Sequence, residues 1–164
     1  MLNPILASGW IRKGKDFDVK TNSGRQRVNI NGAVDIRRMD VISRTCKTVN
    51  QAAMRDLIRA IRRKNPEEKH LYLVLDNASY NRAHSVKDLA KALKVKIIYL
   101  PPYSPNLNQV ERLWKFMKKK VMANQHYENL DEYKSAIVRF FRGLKKYRAQ
   151  LDTLLTDNFQ IMQA

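Results

Sequence analysis

Two acidic residues stand where a carboxylate could bind a divalent metal ion. Asp76 directly follows the apolar run 71–75, so it should leave a buried strand at its carboxyl end, where open α/β sheets hold ligands. Glu111 comes thirty-five positions later, after a proline-rich loop that would carry the chain back to this edge. Carboxylates bind Mg²⁺ or Mn²⁺, and two such ions about 3.5–4 Å apart can activate the nucleophile and stabilise the leaving oxygen of a phosphodiester. The predicted chemistry is metal-dependent phosphodiester cleavage.

Each acid also has a simpler interpretation. Asp76 and Asn77 form a common turn pair, because Asp and Asn bend and cap chains where strands end. Asn108 and Glu111 have the spacing of a capping box, in which Asn108 would be the N-cap residue of the following helix. Both interpretations explain the residues without a metal ion, and they stay open beside the metal site.

The charge of the chain predicts a polyanionic partner. The 164 residues include 32 Lys and Arg against 15 Asp and Glu, a formal net charge of +17. The cations are spread along the whole length, which favours nucleic acid over a membrane surface. On the helix that begins near residue 108, Lys115 and Lys118 share a face with Glu111 and, with Lys119, are expected to contact DNA phosphates. The alternative is that these lysines only favour the helix C-terminus.

Composition narrows the class of protein further. No apolar run approaches the roughly 20 residues of a membrane span, and no signal peptide precedes the first apolar residues, so we expect a cytoplasmic protein that does not bind membranes. Cys46 is the single cysteine, which excludes an internal disulfide and a cysteine-based zinc site.

The spacing of apolar residues predicts the elements that position the two acids. Apolar and polar residues alternate in the first third of the chain, and from residue 50 onward apolar residues also recur at helical spacing. The predicted strands are 9–11, 27–34, 39–43, 71–75 and 96–100, and the predicted helices are 50–65, 81–93, one from near 108, 130–146 and 151–155. The strands 71–75 and 96–100 flank one helix, so they should be parallel and buried on both faces. Bends are expected at 31–32 and 35–38, and both tryptophans, Trp10 and Trp114, are expected to pack inside.

The runs LVLDNA (73–78) and YLPPYSPNLNQVERLWK (99–115) closely resemble the catalytic domain of DDE transposases of bacterial insertion sequences, in the six-thirty and mariner superfamily. Weaker likeness covers GWIRKG (9–14) and RVNINGA (27–33), so the resemblance extends to about residue 145. It implies an α/β ribonuclease-H-like fold with a mixed sheet flanked by helices. It also implies that Asp76 and Glu111 are the second and third carboxylates of a triad that binds two Mg²⁺ or Mn²⁺ ions, supported by Asn77 and Asn108. The partner would be DNA, as transposon ends and target, first nicked by water and then joined through a 3′-hydroxyl.

The chain also departs from this family. The first Asp of the triad should precede the Gly-Trp pair on an opening strand, yet no acidic residue precedes Asp16. No convincing substitute is found among four later residues, which are Asp16, Asp18, Asp35 and Asp40. A helix-turn-helix region for recognising element ends is also absent. We therefore hypothesise that residues 1–164 form a single catalytic domain that is truncated at its N-terminus and is weak or inactive alone.

A missing first strand would have structural consequences. In this fold the strand is central, so both of its neighbours would lose pairing unless residues 1–7 or a partner chain fill the gap. The partner could be a second copy or a complementing transposase fragment. An alternative function is a non-catalytic DNA-binding remnant of a transposase, and a structural RNA-binding domain has little support.

Overall fold

In a computed structural model of the chain, the described residues are 4–5, 7–8, 10–15, 18–20, 27–102, 104 and 107–155. The four strands are β1 (Asn29–Asp35), β2 (Asp40–Cys46), β3 (Leu71–Leu75) and β4 (Val95–Tyr99). The five helices are α1 (Gln51–Lys64), α2 (His84–Ala92), α3 (Gln109–Met122), α4 (Leu130–Arg142) and α5 (Arg148–Leu154). Short 3₁₀ turns lie at Ser79–Arg82 and Leu144–Tyr147. The predicted order of a helix, a βαβ unit and further helices after antiparallel strands is confirmed, and the described antiparallel strands form a two-stranded hairpin instead of a meander.

β1 and β2 form an antiparallel hairpin whose register runs from Asn29↔Cys46 to Asp35↔Asp40. The turn at 36–39 closes with Met39 in the left-handed region, at φ 49°. The bend expected at residues 31–32 is wrong, because both residues pair with β2 inside the strand. Turn-forming residue types do not interrupt a strand when its partner satisfies their backbone groups.

β3 and β4 are parallel, as predicted, with Leu71 opposite Val95 and Leu75 opposite Tyr99. The two pairs of strands are separate sheets, since no ladder within the described residues joins β1–β2 to β3–β4. The prediction that β3 and β4 are buried on both faces is wrong, and in β4 Lys96 and Ile98 are exposed. Tyr72 and Val74 lie on the same face of β3 and are 59% and 52% exposed, because that face borders a cavity instead of a packed layer.

The buried residues form two clusters. The first joins the hairpin to the last three helices, around Leu113, Leu144 and Leu151. The second lies between α1, α2 and the parallel pair, around Leu57 and Val86. Helix α1 connects them, because it contacts both strands of the hairpin as well as α2. The face of α1 with apolar residues at helical spacing is the buried one, as predicted.

Helix boundaries follow local caps. Asn50 is the N-cap of α1, and its side chain accepts a hydrogen bond from Ala53 N at 3.0 Å. The predicted helix 81–93 is a 3₁₀ turn and a shorter α2, and the predicted helix 130–146 ends as an α-helix before Gly143. These breaks matter because the 3₁₀ turn carries side chains back toward the end of β3.

The described residues between 4 and 20 do not enter either sheet. Gly9, where a strand is predicted, lies outside the described residues, and Trp10 and Ile11 are exposed and not in a strand, so Trp10 is not a core residue. The backbone of Ile5 instead bonds to Met122 O and Asn124 N, at 2.9 and 3.0 Å. Of the two possibilities for filling the gap, residues 1–7 or a partner chain, the first does not hold for Ile5. None of the described helices is long and apolar enough to cross a membrane.

Candidate active site

Asp76 leaves β3 at its carboxyl end, as predicted. One carboxylate oxygen, Oδ1, accepts hydrogen bonds from Ala78 N at 3.1 Å and from Asn81 Nδ2 at 2.7 Å. The other oxygen, Oδ2, makes no hydrogen bond to a described residue. The bond to Ala78 is the Asx turn of the simpler interpretation, so the turn exists, and it still leaves one oxygen free for a ligand.

Asn81 is the one buried polar residue among those described, at 3% exposed. The 3₁₀ turn brings it back beneath Asp76, and its backbone oxygen accepts a hydrogen bond from Tyr99 Oη at 2.9 Å. Its own amide oxygen is buried without a hydrogen-bond partner. Asn81 is a supporting residue that the sequence analysis did not find. The available signal was an amide five positions after Asp76, which becomes informative only once the turn is known.

Asn77 supports the site by holding the loop backbone, and its side chain makes no hydrogen bond to the carboxylate of Asp76. Its Nδ2 donates to Leu100 O at 2.6 Å, and Arg82 donates to its Oδ1. The bond to Leu100 joins the carboxyl ends of β3 and β4. Asn77 therefore fixes the loop that presents Asp76.

Glu111 lies in the first turn of α3 and is exposed. Asn108 is the N-cap residue, as the capping-box interpretation requires, but its side chain accepts no capping hydrogen bond. The contact between the two residues is the backbone bond from Glu111 N to Asn108 O, at 3.1 Å. The capping-box interpretation is therefore wrong, and the Glu111 carboxylate is free of described partners.

Asp76 and Glu111 line the same cavity, of about 640 Å³. Its walls come from β1, β3, the loop before α3 and the first turns of α3, and they include Asn108, Tyr80 and Trp114. The two acids are thirty-five positions apart in the sequence and share this space because α3 packs beside the hairpin. Lys115, Lys118 and Lys119 are exposed on α3 and do not line the cavity.

Gly32 on β1 sets how closely α3 approaches. A Cβ at this position would lie 3.0 Å from Trp114 Cη2 and 2.9 Å from Ile42 O. Trp114 also packs edge-on against Phe141, with ring centroids 5.4 Å apart. Because Trp114 is one turn after Glu111, the contact at Gly32 fixes the position of the acid. Trp114 thus packs as expected.

The cavity alters the ionisation of one neighbour of Asp76. Burial raises the pKa of the Tyr80 hydroxyl, and the negative charges of Asp76 and then Cys46 raise it further. Tyr80 therefore stays a neutral hydrogen-bond donor at physiological pH.

The donor set fits a hard cation. Mg²⁺ keeps several waters and is held by one or two carboxylates together with phosphate oxygens, which is what Asp76 and Glu111 could offer. The described residues contain no group of three or more His, Cys, Asp or Glu that could hold a metal ion. The chain therefore presents two carboxylates to the cavity, with room for ligands from elsewhere.

Comparison with known proteins places the chain among nucleases. A family model described as DDE superfamily endonuclease matches residues 2–134. The uncharacterized protein y4pE/y4sA of Sinorhizobium fredii (strain NBRC 101917 / NGR234) is 31% identical over 80 residues, 49% of this chain and 57% of that protein. The insertion element IS630 uncharacterized 39 kDa protein of Shigella sonnei is 23% identical over 154 residues, 93% of this chain and 42% of that protein. The chain thus spans about half the length of these curated relatives.

Solved structures show the same fold. The Mos1 transposase paired-end complex with left transposon end has a TM-score of 0.63 at 21% identity, covering 94% of this chain and 51% of that chain. The Mos1 mariner paired end complex with Mn has a TM-score of 0.62 at 21% identity, covering 99% and 53%. The expected ribonuclease-H-like α/β fold and the resemblance to DDE transposase catalytic domains are confirmed. Because the family model covers well over half of its residues, the chain belongs to the DDE superfamily endonucleases.

Proposed function

We propose that this chain is the catalytic domain of an insertion-sequence transposase that cleaves DNA strands and joins them to a target. The observation that carries the proposal is that Asp76 and Glu111, distant in sequence, line one cavity at the carboxyl end of β3. The Shigella sonnei relative belongs to an insertion element, and the Mos1 structures hold transposon ends. The net charge of +17 suits a protein that works on DNA in the cytoplasm.

Asp76 and Glu111 are the residues that would hold Mg²⁺ or Mn²⁺, the second of which is present in a similar Mos1 complex. Such an ion supplies charge neutralisation at the phosphate and a more acidic water. Asn81 keeps Oδ1 of Asp76 in place, and Oδ2 has no hydrogen-bond partner among the described residues and would be available to a metal ion. Lys115, Lys118 and Lys119 follow Glu111 along α3 and would neutralise phosphates of the bound strand.

A further segment would complete the site. The cavity separates β1 from β3, and neither strand has a ladder partner on that side among the described residues. An extended segment inserted there would satisfy both rows of backbone groups. Carrying one Asp, it would bring a third carboxylate to the two already present and allow a two-metal site. This segment could come from upstream in the same protein, from a second copy or from another fragment.

Nicking of supercoiled plasmid with 5 mM Mg²⁺ or Mn²⁺ as probe tests the proposal, using the chain alone and joined to an upstream strand that carries an Asp. We expect weak nicking by the chain alone and strong nicking by the extended protein. Asp76→Asn and Glu111→Gln should each abolish it, and Glu128→Gln, at an exposed acid outside the cavity, should not. Strong nicking by the chain alone would contradict the need for a further segment, and nicking that survives Asp76→Asn would contradict the site.

A non-catalytic DNA-binding remnant is the second candidate function. It is favoured by the lack of a third metal ligand near the two acids within the described residues. Both functions predict that Asp76→Ala leaves DNA affinity intact in EDTA. They differ in that the remnant shows no metal-dependent nicking, even when the upstream strand is restored.

A further inference from the structure

A groove at the far side of the parallel pair is strongly basic. It has a volume of about 630 Å³ and runs along the outer edge of β4, between that strand and α2. No carboxylate of the described residues lines it, and the single acid of α2, Asp88, lies outside it. Five exposed lysines line it, which are Lys69, Lys87, Lys91, Lys94 and Lys96.

These lysines are not neutralised by the rest of the chain. Six ion pairs lie within the described residues, and none of them includes a lysine of the groove. Lys64, by contrast, pairs with Asp40, and Lys134 pairs with Asp131 at 2.9 Å. Like charges gathered around one concavity repel each other, so an anion that enters the groove is stabilised by all of them.

Two loops that border the groove are joined by hydrogen bonds from Arg62. The half-buried Arg62 guanidinium donates to four backbone oxygens on two loops that carry groove lysines, those of Asn65, Glu68, Leu93 and Lys94, at 2.8–3.1 Å. These bonds join the loop before β3 to the turn before β4. The backbone that carries Lys69 and Lys94 is therefore held in place, which lowers the backbone entropy lost when a ligand binds.

One end of the groove adjoins the candidate active site. Tyr99 lines the groove, and its hydroxyl donates to the backbone oxygen of Asn81, the residue that holds Asp76. The guanidinium of Arg82 stands 5.3 Å from the centre of the Tyr99 ring and donates to Asn77. The cations thus continue from the groove to the loop of Asp76.

We propose that the groove of α2 and β4 binds the phosphate backbone of a DNA duplex that extends away from the cleavage site. The proposal rests on the function proposed above and adds a second DNA contact, separate from the lysines of α3. The five residues of β4 span about 16 Å, a length over which one strand of a duplex presents about five phosphates. The five groove lysines equal this number of phosphates, and they would bind phosphates without reading the base sequence.

The test is DNA binding in EDTA, measured by fluorescence anisotropy with a labelled 30-base-pair duplex over a series of salt concentrations. The groove variant carries Lys69→Gln, Lys87→Gln and Lys91→Gln. The control variant carries Lys13→Gln, Lys15→Gln and Lys20→Gln, which remove the same charge from exposed residues elsewhere. We expect the groove variant to bind about tenfold more weakly or worse, with a salt slope shallower by about 2–3, and the control to change far less.

Equal losses in the two variants would overturn the proposal, because the effect would then be one of net charge. Lysines also protect edge strands from pairing, so a groove variant that dimerises while keeping its DNA affinity would assign them that role instead. Loss of binding to phosphatidylserine vesicles with unchanged duplex affinity would equally overturn it. The binding assay contains EDTA, so its result does not depend on a metal ion. Failure of Mg²⁺-dependent nicking in a separate assay would therefore count against the proposed function and not against DNA binding by the groove.

Discussion

The amide nitrogen of Asn81 lies 2.7 Å from Oδ1 of Asp76 and donates a hydrogen bond to it. Asn81 is buried and bonded to Tyr99, whereas Asp76 is exposed. A residue fixed in the interior thus orients a carboxylate at the surface.

Replacing Asn81 should therefore impair the site without unfolding the domain. We expect Asn81→Ala to lower Mg²⁺-dependent nicking by about 10–100-fold, because supporting bonds to metal-binding carboxylates have effects of this size. A rise in the Mg²⁺ concentration needed for half-maximal nicking would show that the metal site is affected. Asn50→Ala is the control, since it removes the cap of α1 and costs stability of about 1 kcal/mol but leaves the site intact.

Gly32 should be intolerant of a side chain. We expect Gly32→Ala to lower the free energy of unfolding by about 1–3 kcal/mol, because its Cβ would overlap Trp114 and Ile42 O. Urea denaturation gives the stability, and quenching of Trp114 fluorescence reports whether the ring has moved. Gly14 is the control position, because a Cβ there would meet nothing within 4 Å. Its φ is +78°, a left-handed conformation that Asn adopts more readily than Ala, so Gly14→Asn should change stability little. An unchanged unfolding curve for Gly32→Ala would contradict the contact.

Arg62 should stabilise the domain more than its neighbours on α1. Arg62→Ala removes hydrogen bonds to four backbone oxygens and should cost about 3 kcal/mol, measured by urea denaturation. Arg59→Ala breaks an exposed ion pair with Asp56 and should cost less than about 0.5 kcal/mol. Similar losses for the two variants would show that the Arg62 bonds contribute little.

The domain should lose stability at alkaline pH. Burial raises the pKa of Tyr133 above the usual 10.0, and the charge of Tyr127 raises it further. The folded state therefore keeps the Tyr133 proton at a pH where the unfolded chain releases it. This contribution to stability is complete below pH 10 and is lost as the pH rises through the folded pKa. Unfolding free energies at pH 9 to 11 should fall, and Tyr133→Phe should make the decline shallower. An equally steep decline in that variant would refute this cause.

The sequence pattern predicted which segments form strands and helices better than it predicted which of their residues are buried. The bounds of β3 are those predicted, because five apolar residues between polar ones leave little choice of register. The exposure of Tyr72 and Val74 was not predictable, since the same residues would be buried if a layer covered them. Trp10 shows the same limit, because an apolar side chain does not specify what packs against it.

The candidate site was likewise only partly predictable from the sequence. Asp76 could be placed because it follows a strand, and Glu111 because it opens a helix. The support from Asn81 depends on a 3₁₀ turn, and the position of Glu111 depends on a glycine some eighty residues earlier in the chain. Such contacts arise only when distant segments pack, so local spacing carries no record of them.

The separation of the two sheets has a consequence for motion. The hairpin packs on both buried clusters, because Ala33 and Ile42 lie against the cluster of the parallel pair, and α1 adds a further connection. We expect the amide protons along the cavity-side edges of β1 and β3 to exchange with deuterium faster than those inside each ladder. The cavity that Asp76 and Glu111 share is thus bordered by two strand edges that no described ladder holds in place.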